Sequence, residues 1–168
     1  MRWPLRNPDG GFTLLEALLA AVILAMAITA ITMPFTAGAQ SQLEDARRTL
    51  AVNLAQEMME EILTKPFADP QGASAPGPET GELSRALFDN IDDYHGYEEP
   101  AGAVADPYGQ VINDPEAVWL SRHVTATYVY VSGQDVSAEP TFLRVQVEVR
   151  YKAQPVVNLT RLVYRLRY

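Results

Sequence analysis

The hydrophobic pattern of the chain changes twice, and each change marks a different kind of element. From Phe12 to Phe35 the sequence is apolar apart from Glu16 and three threonines. About 20 apolar residues at 1.5 Å per helical residue cross a hydrocarbon core of roughly 30 Å. This run therefore predicts a membrane-spanning helix over residues 12–36.

A helical period continues beyond the apolar run. Apolar residues recur at spacings of three and four and form one stripe: Leu43, Ala46, Leu50, Leu54, Met58 and Ile62. This spacing predicts an amphipathic continuation of the helix over residues 37–65. Pro66 should end it at Lys65, because proline lacks an N–H and restricts the residue before it. One helix from Thr13 to Thr64 would be roughly 75 Å long at 1.5 Å per residue.

The remainder, residues 66–168, is predicted to form a globular head with acidic loops and a C-terminal sheet. Alternating apolar and polar residues indicate half-buried strands. Three strands are predicted at Arg122–Val131, Leu143–Tyr151 and Val156–Tyr168, with turns at Ser132-Gly133 and Gln154-Pro155. We therefore expect an α+β fold in which three or four antiparallel strands pack on the second half of the long helix.

The segment before the apolar run is polar and positively charged. Residues 1–11 contain Arg2 and Arg6, with Pro4 and Pro8 opposing helix formation. Positive charge beside a span favours the cytoplasmic side of the membrane. The rest of the chain is then expected outside the cytoplasm.

Glu16 is the one charged residue in the apolar run. A carboxylate in a membrane segment is costly, so it is normally kept for a partner. The alternative is a side chain that extends to the lipid headgroups.

The residues around Glu16 carry a resemblance. Gly11-Phe12-Thr13-Leu14-Leu15-Glu16 closely resembles the prepilin peptidase site of the type IV pilin superfamily. The resemblance implies cleavage between Gly11 and Phe12, methylation of the new Phe12 amine and a role for Glu16 in assembly. Gly11 lacks a side chain, so a peptidase can approach the backbone closely. Pro34 lies one position from a proline common in that family, which indicates a kink there.

Two other interpretations of the N-terminus stay open. Ala37-Gly38-Ala39 resembles a signal peptidase site, so a soluble secreted binding domain released after Ala39 is an alternative. The apolar run is, however, longer than the usual h-region of about 7–15 residues. The other alternative is an uncleaved single-span anchor.

Composition narrows the possible functions. The net charge of -8 disfavours nucleic acid as a partner, because an acidic chain releases no counterions from phosphates. The absence of cysteine excludes disulfides, thiolate zinc sites and a cysteine nucleophile. The two histidines belong to no recognisable catalytic motif. We therefore expect no enzymatic activity and no cofactor.

An acidic stretch in the middle of the chain is a candidate cation site. Its carboxylates, Asp89, Asp92, Asp93, Glu98 and Glu99, are of the type that calcium prefers, but their spacing does not match an EF-hand loop. We interpret the stretch as a solvated acidic loop without a metal. The C-terminal strands are basic, and this polarity could either join neighbouring subunits or simply be solvated.

The resemblance implies a structural function. The chain is similar to minor pilins of the PilV or MSHA type and to minor pseudopilins of type II secretion systems. Implied partners are other pilins or pseudopilins, the prepilin peptidase, an inner-membrane assembly platform and the lipid bilayer. The implied location is the bacterial inner membrane, with a cytoplasmic leader and an exported C-terminal domain, followed by a pilus or pseudopilus fibre. A DNA-uptake pseudopilus subunit is a further alternative.

Overall fold

The computed structural model of the chain describes residues 11–67, 75–134 and 140–164. One helix, α1, covers Leu14–Leu63, and short 3₁₀ turns lie at Arg85–Leu87, Asp92–Tyr94 and Ala117–Trp119. Four strands follow: β1 (Glu98–Glu99), β2 (Leu120–Val129), β3 (Phe142–Tyr151) and β4 (Gln154–Tyr164). The chain divides into two compact units, residues 1–44 and 45–168. Of the predicted leader, only Gly11 lies among the described residues.

The long helix agrees with the predicted range Thr13–Thr64 to within one residue at each end, and it ends two residues before the predicted end at Lys65. It begins directly after Thr13, whose Oγ1 accepts a hydrogen bond from the backbone N–H of Glu16 at 3.2 Å. This is half of a capping box, which satisfies one of the free N–H groups at a helix start. The helix ends three residues before Pro66. The helix continues through Pro34 without interruption.

The core of the second unit lies between the last turns of α1 and one face of the sheet. The helix contributes Ala51, Leu54, Ala55, Met58, Met59 and Ile62, all buried. The sheet contributes Val124 and Ala126 from β2 and four alternate residues of β3: Leu143, Val145, Val147 and Val149. The predicted stripe is therefore right for Leu54, Met58 and Ile62. Leu43 and Ala46 are exposed.

The sheet is fully antiparallel, with strand order β1-β2-β3-β4. The predicted α+β fold with a small antiparallel sheet is confirmed. The strand at Glu98–Glu99 lies in the stretch that was predicted to be a loop, and it pairs with Arg122 and His123 of β2. The third predicted strand is β4, which the structure describes as far as Tyr164; residues 165–168 lie outside the described residues.

One predicted turn was wrong. Gln154 and Pro155 begin β4, and the turn between β3 and β4 is formed by Lys152 and Ala153, with φ values of 48° and 66°. Two consecutive positive φ angles are typical of the type I′ turn that joins tightly paired strands. Neither residue is the glycine or asparagine that usually marks this turn, so the sequence carried no signal for it. The turn at Ser132-Gly133 is confirmed, with Gly133 at φ 84°.

Candidate functional site

Over residues 14–36, α1 exposes a long apolar surface whose one charged residue is Glu16. Every residue from Gly11 to Ala46 is exposed, and Phe12 reaches 83%. The helix contains an 18-residue window that is long and apolar enough to cross a membrane, and none of that window is buried. An apolar surface of this length is stable only in contact with lipid or with other apolar helices.

Three threonines within the helical part of this surface, Thr29, Thr32 and Thr36, do not disturb its apolar character. Thr29 Oγ1 donates to the carbonyl of Ala25 at 2.6 Å, and Thr32 Oγ1 donates to the carbonyl of Ile28 at 3.0 Å. Thr36 Oγ1 donates to carbonyls of the preceding turn in the same way. Each hydroxyl is therefore satisfied within the helix, which removes the cost of placing it in lipid.

The residues of the proposed cleavage site stand in front of this helix. Gly11, Phe12 and Thr13 precede its first turn. No described atom lies within 4 Å of the position that a Cβ atom would take at Gly11. The Gly11–Phe12 peptide bond is thus outside the helical hydrogen-bond ladder. Arg2 and Arg6 lie outside the described residues.

Glu16 occupies the first turn of α1 and is exposed. Among the described residues, no cationic group lies within ion-pair distance of its carboxylate. A carboxylate near a helix N-terminus gains from the helix dipole. Any countercharge for Glu16 must come from outside the described part of the chain.

The structure separates the five acidic residues of the candidate cation site. Asp92, Asp93 and Glu99 are buried, Asp89 is half-buried and Glu98 is exposed. The interpretation of a solvated acidic loop is therefore wrong for the three buried residues. Glu99 forms ion pairs with Arg85 and Arg122. Oε1 of Glu98 lies 3.0 Å from Nδ1 of His123, so these carboxylates do not form a common ligand set.

Asp93 instead approaches two glutamates that the sequence analysis did not select. One carboxylate oxygen each from Glu79, Glu82 and Asp93 lies within 4.8 Å of the others. Oδ2 of Asp93 accepts the N–H groups of Asp89 and Asn90 at 2.8 and 2.9 Å. Burial raises the pKa of Asp93 above its ordinary value, and the charge of Glu82 adds to the rise. Protonation of this group is one way in which three close carboxylates coexist.

Asp92 has a different neighbour. Its Oδ2 accepts a hydrogen bond from the hydroxyl of Tyr128, while its backbone N–H donates to Oδ1 of Asn90 at 2.8 Å. The bond from Tyr128 ties the second 3₁₀ turn to β2, and the bond to Asn90 holds the turn itself. The acidic stretch therefore folds as a structural element of the head.

Two arginines and two glutamates form a network in the head, in which Arg122 and Glu99 are buried and Arg85 and Glu61 are half-buried. Nε of Arg122 donates to Oε2 of Glu99 at 2.7 Å, and Nη1 of Arg85 donates to Oε1 of the same carboxylate at 3.0 Å. Arg85 also binds Glu61 of α1 through Nε and Nη2. The network joins the helix, the 3₁₀ turn at Arg85, β1 and β2.

Tyrosines and backbone carbonyls complete this network. Tyr94 Oη donates to Glu61 at 2.8 Å, and Arg122 donates to the carbonyl oxygens of Leu54 and Ala105 at 2.9 and 2.8 Å. Burial raises the pKa of Glu61, but the hydrogen bonds from Arg85 and Tyr94 outweigh it and leave that pKa below its ordinary value. For Glu57, one turn earlier, burial dominates and raises the pKa.

This network holds the elements of the head together. Its charged groups are paired and mostly buried, and burial raises the pKa of the Tyr94 hydroxyl, which keeps that group protonated. No signal in the sequence identified Glu61 or Arg85. The sequence did contain a signal for Arg122, because this residue occupies a core-facing position in β2 between Leu120 and Val124. An arginine at such a position requires a buried carboxylate partner.

Comparison with known proteins finds a match in the N-terminal part of the chain. Residues 6–32 match the family model described as the prokaryotic N-terminal methylation motif. No curated protein and no solved structure matches the chain. The chain thus carries a prepilin-type N-terminal motif, which includes Gly11, Phe12 and Glu16 and runs into the exposed apolar part of α1.

Proposed function

We propose that this chain is a structural subunit of a bacterial type IV pilus or a related pseudopilus. The observation that carries the proposal is the position of the methylation motif, directly at the start of a long helix whose apolar surface has no partner among the described residues. A soluble domain would bury such a surface. A filament subunit presents it first to lipid and then to neighbouring helices.

In this proposal, cleavage after Gly11 removes residues 1–11, and Phe12 becomes the methylated N-terminus. Residues 12–36 then anchor the subunit in the inner membrane, and residues 37–65 continue the helix into the head. The head is exported and faces outward in the fibre. The small head without cysteine fits a minor pilin or a minor pseudopilin of type II secretion.

The partners follow from the same chemistry. The non-helical residues from Gly11 to Thr13 suit a prepilin peptidase, and the apolar helix suits the helices of other pilins or pseudopilins. The ion-pair network of the head suits a rigid structural role without catalysis. Assembly would use an inner-membrane platform.

Glu16 has a specific role in this account. Cleavage leaves a positively charged amine on Phe12, and in a bundle of staggered helices the Glu16 carboxylate of a neighbour reaches that amine. The low dielectric of the bundle strengthens this attraction and offsets part of the cost of the carboxylate in lipid. The pair forms only between subunits, which makes it a condition for assembly.

Co-expression with and without a prepilin peptidase tests the proposal. With the peptidase, the chain should shorten at its N-terminus and stay in the membrane fraction. A chain that is processed equally without the peptidase and appears as a soluble protein starting at Gln40 would favour the secreted domain instead.

A further inference from the structure

An exposed apolar patch with an acidic neighbour lies beside β1. We call it the leucine patch; it consists of Glu82, Leu83 and Leu87. Leu83 is 92% exposed and Leu87 is 54% exposed. Arg85 lies between them in the sequence, and its bonds to Glu61 of α1 and Glu99 of the edge strand β1 fix this segment near β1. Large apolar side chains so exposed on a folded head indicate a contact surface.

The charge around the leucine patch is negative. Residues 75–99 contain seven carboxylates and one arginine, and four of these carboxylates are not buried: Glu79, Glu82, Asp89 and Glu98. That arginine, Arg85, is directed inward and is paired with Glu61 and Glu99. Its charge therefore does not offset that of Glu82, which is half-buried and whose Oε2 accepts the backbone N–H of Glu79 at 3.0 Å.

A second exposed patch lies at the opposite edge of the sheet. We call it the β4 patch; it consists of Arg144, Leu162 and Tyr164. Arg144 is directly opposite Leu162 in the β3–β4 register, and residues opposite each other share a face. The neighbours of Arg144 along β3 point into the core, so this face is the outer one. Leu162 and Tyr164 are 56% and 60% exposed.

The charge of the β4 patch is positive. Arg144 is exposed and has no ion-pair partner among the described residues. Because β4 is the last strand in the sheet order, no described strand covers its outer edge. The patch therefore combines apolar side chains, a free positive charge and an open strand edge.

We propose that the leucine patch of one copy binds the β4 patch of a second copy. Leu83 and Leu87 meet Leu162 and Tyr164, and Glu82 meets Arg144. The two patches differ and lie at opposite edges, so the contact leaves one patch of each kind free. Such a heterologous contact extends into a row of heads and does not close into a dimer.

The inference deepens the proposed function, on which it rests, by assigning surfaces through which assembled heads touch. Three side chains on each copy form a contact far smaller than a standard interface, so it should not hold two free heads together. Anchoring in one membrane or fibre raises the effective concentration of the heads, and the contact then forms. It should also weaken as salt increases, because the charge pair is exposed.

Disulfide crosslinking tests the contact, since the native chain contains no cysteine that could confuse the result. Full-length chains carrying Leu83→Cys and Leu162→Cys are co-expressed, and the membranes are oxidised. Crosslinked dimers should exceed those of either variant alone by several-fold. The matched control is Tyr108→Cys with Leu162→Cys, because Tyr108 is 88% exposed but lies outside both patches.

A second comparison tests the charge. In the Leu162→Cys chain, Arg144→Glu should lower the crosslink yield several-fold and Arg144→Lys should retain it, with the thermal unfolding midpoint unchanged in both. Equal yields with the Tyr108→Cys control, symmetric crosslinks from one variant alone, or no effect of Arg144→Glu would each overturn the proposed contact. Failure of the proposed function has a different signature, because the chain would then be found in the soluble fraction and not in the membrane.

Discussion

Arg122 and Glu99 form an ion pair in the interior of the head, with Nε of the arginine 2.7 Å from Oε2 of the glutamate. Arg122 is 1% exposed and Glu99 is 4% exposed. Charges this deeply buried are tolerated only when they are paired and hydrogen-bonded. Here both conditions are met, because Arg122 also binds two backbone carbonyls and Glu99 also binds Arg85 and Tyr97.

Removal of Glu99 should therefore be severe. Glu99→Ala leaves the Arg122 guanidinium buried without its partner, and loss of one member of such a pair costs about 3–5 kcal/mol. Urea unfolding of the mature chain in detergent, followed by the fluorescence of Trp119, measures this cost. The matched control is Glu148→Ala, which breaks the more exposed pair with Arg150 and should change stability little. Equal effects of the two substitutions would contradict a central role for the buried pair.

The turn between β3 and β4 stores backbone strain that one substitution can release. Ala153 has φ 66°, and a residue with a Cβ atom pays about 1 kcal/mol or more in this region. Ala153→Gly should therefore raise the free energy of unfolding by up to about 1 kcal/mol. Gly133→Ala is the reverse control, because Gly133 has φ 84° and nothing crowds its Cβ position. It should lower stability, and a stabilising Gly133→Ala would contradict the turn geometry.

Asp93 should make the head less stable as pH rises. Its pKa is raised in the folded state, mainly by burial, so the folded head binds this proton more tightly than the unfolded chain does. The resulting stability is present below the ordinary aspartate pKa and is lost as pH rises through the folded-state pKa. Asp93→Asn keeps an oxygen for the N–H groups of Asp89 and Asn90. It should match or exceed the native stability at neutral pH and reduce this loss.

Glu61 provides the comparison of opposite sign. Its pKa is lowered in the folded state, so its contribution is present above the ordinary glutamate pKa and is lost as pH falls through the folded-state pKa. Glu61→Gln should therefore weaken the head at neutral pH. Thermal unfolding of both variants from acidic to neutral pH measures the two effects. If Asp93→Asn were destabilising at neutral pH and Glu61→Gln neutral, the assignment of the two carboxylates would be wrong.

The parts of the fold that were predictable depend on local periodicity. The helix from Leu14 to Leu63 and the alternation in β3 are visible in the sequence, because burial of one face imposes a period of 3.6 or 2. The bonds of Glu99 were not visible, because its partner Arg122 lies 23 residues away. The Lys152-Ala153 turn was missed since its residues do not favour positive φ.

In the candidate site, too, the contiguous residues were predictable from the sequence and the tertiary contacts were not. The motif from Gly11 to Glu16 is contiguous, so the sequence alone identified it and the family model matches the same stretch. The approach of Asp93 to Glu79 and Glu82 depends on how the loop folds over the head, which no spacing rule encodes. Residues that act through tertiary contacts need the structure, whereas residues that act in a linear motif do not.

Glu16 should be required for assembly and for no earlier step. Glu16→Ala should insert and be cleaved normally, because it removes a charge from the span and leaves Gly11 and Phe12 unchanged. It should join fibres poorly, since the Phe12 amine of the neighbour loses its partner. Glu16→Gln should be intermediate, because it keeps hydrogen bonding without the charge. Pull-down with partner pilins measures association, and precursor processing is measured in parallel. Native assembly of Glu16→Ala would exclude the proposed pair.

The mass of the mature membrane-bound protein tests the central claim most directly. The account predicts the loss of residues 1–11, the retention of everything from Phe12 onward and a small gain from methylation of the new amine. Gly11→Val should keep the full precursor mass, because a branched side chain blocks the close approach of the peptidase. A native chain that begins at Gln40, or one that keeps Met1–Gly11 in the presence of the peptidase, would contradict the account.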